Sequence, residues 1–239
     1  MKKIIALTRN EFLVFLREPM AGVFIILFPI IILVSSGIMN NGSDAILNIL
    51  PVSIGLTILA AALLGITMNL AIYRENKVLK RFQMTKLSSR TILFAEFNVL
   101  YLFSIIGIIC EIIIAIFLFR TKLRLNIEFF VLDIIICSIY FWSMGFFISA
   151  IIPTVKSVHA ISSLLFTIMM IFNITPLGND TVSVVVKMVS NILPLTHAKF
   201  LFDADLMSTL YNYRLYSYVY ILFSVILFII IGNKFFRWE

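Results

Sequence analysis

Six long runs of apolar residues, separated by short polar segments, make up most of the chain. Each run is close to the ~20 residues that an α-helix needs to cross ~30 Å of hydrocarbon. The predicted spans are residues 20–38, 52–73, 91–119, 129–152, 155–174 and 216–233. We therefore expect an all-α integral membrane protein in which residues 1–239 form one transmembrane domain with six spanning helices.

Two further segments are amphipathic. In residues 1–19, Ile5, Phe12 and Phe15 lie along one side of a helix and the charged residues lie elsewhere, which predicts an interfacial helix. A cleaved signal peptide is the alternative, but the apolar run begins too late for one. Residues 175–215 are too many for a tight turn and too apolar for a solvated linker, so we expect short helices dipping into the outer leaflet.

Composition excludes a soluble globular protein, because 62% of the residues are hydrophobic and the mean hydropathy is +1.09. The net charge of +7 does not indicate nucleic-acid binding, since the basic residues lie in short loops beside apolar runs. Cys110 and Cys137 both fall inside apolar segments, so we do not expect a disulfide.

The most basic loop lies between the second and third predicted spans. Residues 74–90 contain six Lys or Arg residues and one acidic residue, Glu75. By the positive-inside rule this loop faces the cytoplasm. With both termini also inside, 13 Lys and Arg lie on the cytoplasmic side and 6 on the outer side. Three basic residues in the outer loop of residues 120–128 do not follow the rule.

The same loop has a helical pattern. Val78, Leu79 and Phe82 recur at spacings of three and four, and basic residues follow the same period on another face. This predicts a short amphipathic helix that lies flat at the cytoplasmic membrane surface.

From residue 74 onward the chain follows a pattern of Arg-Glu, a spaced Leu, a spaced Leu or Phe, and Thr-Pro-Leu. The matching residues are Arg74, Glu75, Leu79, Phe82, Thr85, Leu87 and Ala95. With them the loop resembles the first cytoplasmic loop of ABC type-2 exporter permeases. Lys77, Lys86 and Glu96 depart from the pattern, where the family often has Gly, Pro and Lys. Residues 17–19, 28–29 and 193–197 also resemble the family, whose elbow helix feeds the first span and whose re-entrant helices precede the last.

The resemblance implies a permease subunit that pairs with a second permease, in a homo- or heterodimer, and with two cytoplasmic P-loop ATPase subunits. Val78, Leu79 and Phe82 would dock on the ATPase, with Arg74 and Glu75 as polar contacts at the membrane edge. The exported substrate would be a drug, an antibiotic or an amphipathic peptide. The location implied is the inner (plasma) membrane of a bacterium.

No catalytic chemistry is predicted for the chain itself. It lacks the Gly-rich pattern ending in Gly-Lys-Ser/Thr, so ATP and Mg²⁺ would bind the partner ATPase and this chain would need no cofactor. It has no Cys/His pattern with metal-ligand spacing and no set of nucleophile, base and orienting residue. We therefore expect a transport subunit, not an enzyme.

Polar residues inside the spans are candidates for the translocation path. A charged carboxylate in a span costs about 3 kcal/mol, so Glu111 should face protein or water. It either lines the path or is a protonated or hydrogen-bonded structural residue, and the structural interpretation is favoured. The same choice applies to Asp133, near the outer end of the fourth span.

Two stripes of small or polar residues complete the candidate set. Thr57, Ala61 and Gly65 recur at intervals of four, which favours close packing against a neighbouring helix. Ser163 and Thr167 belong to a polar stripe on the fifth span. They either form hydrogen bonds between helices or line a wet path.

Two other classes of protein stay open. An ion-coupled secondary transporter would have inverted repeats, broken helices and ionisable groups at the midplane, and only Glu111 partly fits. A membrane-embedded enzyme would need a clustered catalytic set. An ATPase encoded beside this chain would distinguish the exporter from both.

Overall fold

The computed structural model describes residues 8, 12–13, 22–39, 43–76, 89–174, 184–207 and 211–235. Over these residues the chain is helical and contains no strand, so the predicted all-α class is confirmed. The helices are α1 (Val23–Leu27 in π geometry, then Phe28–Met39), α2 (residues 43–75), α3 (Ser89–Phe117), α4 (Ile127–Ile151), α5 (Val155–Ile174), α6 (Val184–Ile192), α7 (Pro194–Met207) and α8 (Tyr211–Phe235).

Among the described residues, α2, α3, α4, α5 and α8 are long and apolar enough to cross a membrane. Helix α1 is apolar but shorter, over Val23–Met39. The six predicted spans correspond to α1 through α5 and α8. A multi-pass membrane protein is therefore confirmed, and the number of spans stays a prediction.

Helix α2 is longer than the sequence predicted. It runs through Ser43–Ala60, a π-helical turn at Ala61–Ile66 and Thr67–Glu75, with Pro51 inside it. The prediction that this span begins at residue 52 is wrong, because the helix already begins at Ser43. Proline is tolerated inside a membrane helix where neighbouring helices pack around it, and Pro51 is buried.

Helix α2 is also the centre of the fold. In its most apolar stretch 94% of the residues are buried, against 28% for α5 and 17% for α8. It packs against α1, α3, α4, α5 and α7, and α8 packs on the far side of α4. Helices α5 and α8 are therefore the peripheral spans.

The amphipathic segments are only partly described. Most of residues 1–21 lie outside the described residues, so the interfacial helix stays a prediction, although Phe12 stacks on Phe103 of α3 with ring centroids 5.3 Å apart. Helices α6 and α7 occupy the predicted outer segment of residues 175–215. Helix α7 packs against α2, α4 and α8, with Leu195 and Phe202 fully buried.

Candidate functional site

The cytoplasmic end of α2 is tied to the turn between α4 and α5. The Arg74 guanidinium donates hydrogen bonds to the Ser149 carbonyl, at 2.5 Å, and to the Ile152 carbonyl. Glu75 Oε2 accepts the backbone N–H of Val155 at 3.0 Å. Arg74 therefore contacts the end of α4, and Glu75 contacts the beginning of α5.

These contacts concern two of the five predicted ATPase-coupling residues. In the structure, Arg74 and Glu75 contact their own chain. The other three, Val78, Leu79 and Phe82, lie outside the described residues. Docking of an ATPase at this loop stays a prediction.

Glu111 of α3 is fully buried and hydrogen-bonded to α2. Its Oε2 accepts the Ser53 hydroxyl at 2.8 Å, and its Oε1 accepts the Thr57 hydroxyl. Because both carboxyl oxygens have partners on α2, this geometry matches the structural interpretation of Glu111. The sequence had not connected Glu111 with Thr57, since 54 residues separate them.

The predicted close packing of small residues on α2 is confirmed at Gly65. A Cβ atom at Gly65 would lie 2.9 Å from two methyl carbons of Leu100 on α3, which is too close for an ordinary contact. A Cβ atom at Gly107 of α3 would likewise lie 3.0 Å from the methyl carbon of Thr57. The stripe therefore brings α2 and α3 together on the side where Glu111 is bound.

The polar stripe of α5 lies apart from this buried cluster. Thr167 is exposed and donates to the carbonyl of Ser163 at 2.8 Å, and the Ser163 hydroxyl lies 3.3 Å from His159 Nδ1. These bonds stay within α5. The four candidate path residues thus form two groups, Thr57 with Glu111 inside the chain and Ser163 with Thr167 on a peripheral helix.

A charged cluster joins α4, α7 and α8. Arg214 Nη2 donates to Asp133 Oδ2 at 2.8 Å and lies 2.9 Å from Asp205 Oδ1, in an ion pair without hydrogen-bond geometry. The Tyr218 hydroxyl donates to Asp133 Oδ1 at 2.5 Å and accepts the Arg214 Nε–H at 3.0 Å. The ring of Phe129 lies 4.2 Å from the guanidinium carbon. Because both carboxyl oxygens of Asp133 have partners, this geometry matches its structural interpretation.

Sequence reasoning missed the partners of Asp133. An acidic residue inside a span signals that a cation must approach it. Arg214, just before the last span, carries such a charge, but it lies 81 residues away and pattern reasoning did not connect them.

Helix α7 carries a buried histidine between the spans. His197 Nε2 lies 3.0 Å from the Asn191 carbonyl, and its ring stacks on Tyr220 at 3.7 Å. Burial lowers the pKa of His197 to about 4, and the Asn191 carbonyl opposes this shift. His197 is therefore neutral at physiological pH.

An open cavity of about 370 Å³ lies between α2, α3, α4 and α8. Its walls are apolar apart from Glu96 and Ser143, and they include Phe97 and Trp142. Phe94 at its edge is 53% exposed, so the cavity opens at the lateral surface. Its chemistry suits the apolar part of a lipid or of an amphipathic molecule.

Within the described ranges, no group of three or more His, Cys, Asp or Glu residues is placed to hold a metal ion.

Comparison with known protein families places most of the chain in one of them. The family model described as "ABC-2 type transporter" matches residues 2–199. No curated protein matches the chain.

Proposed function

Because the chain belongs to the ABC-2 type transporter family, we propose that it is the permease subunit of an exporter powered by separate cytoplasmic ATPase subunits. Family membership makes the chain a membrane component of an ABC transporter and implies a cytoplasmic ATPase partner. The direction of transport, the cargo and the arrangement of subunits are the proposed part.

The observation that carries the proposal is the position of the basic loop. Residues 74–90 continue directly from α2, the most buried helix of the fold. A force applied to this loop acts first on the helix that contacts α1, α3, α4, α5 and α7. An ATPase that binds there would therefore act on the centre of the permease.

The path is proposed to lie between the second and fifth spans, α2 and α5, of two permease subunits. Ser163 and Thr167 lie on peripheral α5, where a second permease can face them across a polar path. Glu111 and Thr57 hold α2 against α3 behind that surface. We propose a drug, an antibiotic or an amphipathic peptide as the cargo, and the inner membrane of a bacterium as the location.

The test is ATPase capture by variants of the loop. In the proposed complex, Leu79 and Phe82 fill a pocket on the ATPase, and truncating an interface aromatic costs about 2 kcal/mol, or about 30-fold in affinity. We expect Phe82→Ala to leave expression and insertion normal, to weaken capture of the ATPase and to abolish transport, with Leu79→Ala milder. Lys80→Ala is the matched control on the polar face. The coupling role of the loop would be contradicted if the Phe82→Ala and Leu79→Ala variants bind the ATPase and export normally. Only a role as a membrane anchor would then remain for the loop.

A further inference from the structure

Two consecutive residues at the end of α2 hold the two sides of one turn. Arg74 donates to the carbonyls of Ser149 and Ile152, which end α4. Glu75 accepts the N–H of Val155, the first residue of α5. The turn between them, residues 152–154, connects the fourth span to the fifth.

The charges match the helix ends that they contact. The last carbonyls of a helix and its first N–H groups have no partner inside the helix. The helix dipole makes the carboxyl end partly negative and the amino end partly positive. The cation therefore lies at the negative end of α4 and the carboxylate at the positive end of α5, and hydrogen bonds to charged groups are the stronger kind.

The turn is only partly held by burial, since Ile152 alone is half-buried against the hydrophobic core. Pro153 and Thr154 are both exposed. Thr154 caps its own helix by accepting the Ser157 N–H at 3.2 Å, which leaves the Val155 N–H to Glu75. The described hydrogen bonds that tie the turn to the end of α2 come from two side chains, those of Arg74 and Glu75.

We propose that Arg74 and Glu75 are positioning residues that make the turn between α4 and α5 move as one unit with the cytoplasmic end of α2. We call this connection, made by Arg74 and Glu75 between α2 and the turn, the joint. Helix α5 begins at the joint and carries Ser163 and Thr167. A displacement of the basic loop therefore reaches the polar stripe directly as well as through packing along α2. The consequence for transport rests on the proposed function, whereas the joint itself is a property of this chain.

The first arm of the test uses the full chain alone in nanodiscs. Hydrogen exchange of the Val155 amide, resolved by fragmentation, reports the Glu75 bond. We expect Glu75→Ala to speed exchange about tenfold or more, since one charge-assisted bond is lost. Glu75→Gln keeps a carbonyl acceptor without the charge, so its exchange rate should lie between those of Glu75→Ala and wild type. Asn76→Ala, at the exposed neighbouring position, is the control. Equal exchange in Glu75→Ala and Asn76→Ala would overturn the joint.

Swapping the two charged residues tests whether each charge must face its own helix end, or whether any pair of neighbouring charges is sufficient. The double variant Arg74→Glu with Glu75→Arg keeps the net charge and both residue types, but it presents each helix end with the wrong charge. We expect it to expose the Val155 amide as much as Glu75→Ala does. Wild-type exchange in the double variant would overturn the proposal.

The second arm measures coupling in the complex with the ATPase. With ethidium as the transported probe, we expect Glu75→Ala to lower the probe moved per ATP hydrolysed, while Glu75→Gln restores it toward wild type and ATPase capture stays unchanged. Faster Val155 exchange with an unchanged transport ratio would overturn transmission through the joint. Failure of the wild-type chain to capture any ATPase would contradict the proposed function instead. The hydrogen-exchange measurement on the chain alone would still test whether the joint exists.

Discussion

Removing Arg214 should destabilise the protein more than removing any exposed cation. Arg214 is 8% exposed and lies 2.8 Å from Asp133 and 2.9 Å from Asp205. Breaking a buried ion pair by removing one partner costs about 3–5 kcal/mol, because the other charge stays buried. Polar contacts between membrane helices are weaker on average, so we expect the lower end, about 3 kcal/mol.

The assay is thermal unfolding in detergent, followed by tryptophan fluorescence. For a chain of this length each kcal/mol shifts Tm by about 2–4 °C, so Arg214→Met should lower Tm by about 6–12 °C. Lys122→Met, which removes an exposed cation before α4, is the control and should change Tm little.

A double-mutant cycle identifies the cause. Adding Asp133→Asn to Arg214→Met removes one uncompensated carboxylate and should recover part of the lost stability. The reasoning is wrong if Arg214→Met unfolds at the same temperature as Lys122→Met, or if Asp133→Asn lowers stability equally with and without Arg214.

Three further predictions follow from the polar contacts. Thr57→Val should cost about 1–3 kcal/mol, because it leaves Glu111 Oε1 without its hydroxyl donor, and a Tm equal to wild type would contradict the contact. Cysteines at Ser163 and Thr167 should react with a water-soluble thiol reagent in at least one nucleotide state, whereas Phe223→Cys on α8 should stay protected; protection of both stripe positions in every state would make them packing residues. The pKa of His197 falls from 6.5 to about 4 on folding, so its contribution to stability is complete above pH 6.5 and is lost as the pH falls toward 4. His197→Gln should therefore flatten the fall of Tm over this range, and an unchanged slope would refute the assignment.

Hydrophobic patterning predicted which segments are helical but not where each helix lies. The most apolar stretches of α2 and α8 are almost equally hydrophobic, yet 94% of the first stretch and 17% of the second are buried. Lipid is as apolar as a protein core, so hydropathy cannot separate a central helix from a peripheral one.

The polar contacts depend on tertiary packing in the same way. Arg74 meets Ser149 across 75 residues, and Glu111 meets Ser53 across 58. The family resemblance singled out Arg74 and Glu75, and the cost of a charge inside a span singled out Glu111. Their partners are backbone carbonyls, a backbone N–H and hydroxyls, which carry no sequence pattern of their own. The small-residue stripe at Gly65 predicted that a neighbouring helix packs closely there, but not which helix it is.

The composition of the working complex tests the central claim most directly. Native mass spectrometry in nanodiscs, after co-expression with any P-loop ATPase encoded beside this chain, counts permease and ATPase subunits in each particle. We predict two permeases, this 27.3 kDa chain with itself or with a second permease, bound to two ATPase subunits. A monomeric permease that transports its cargo without any ATPase would contradict the account.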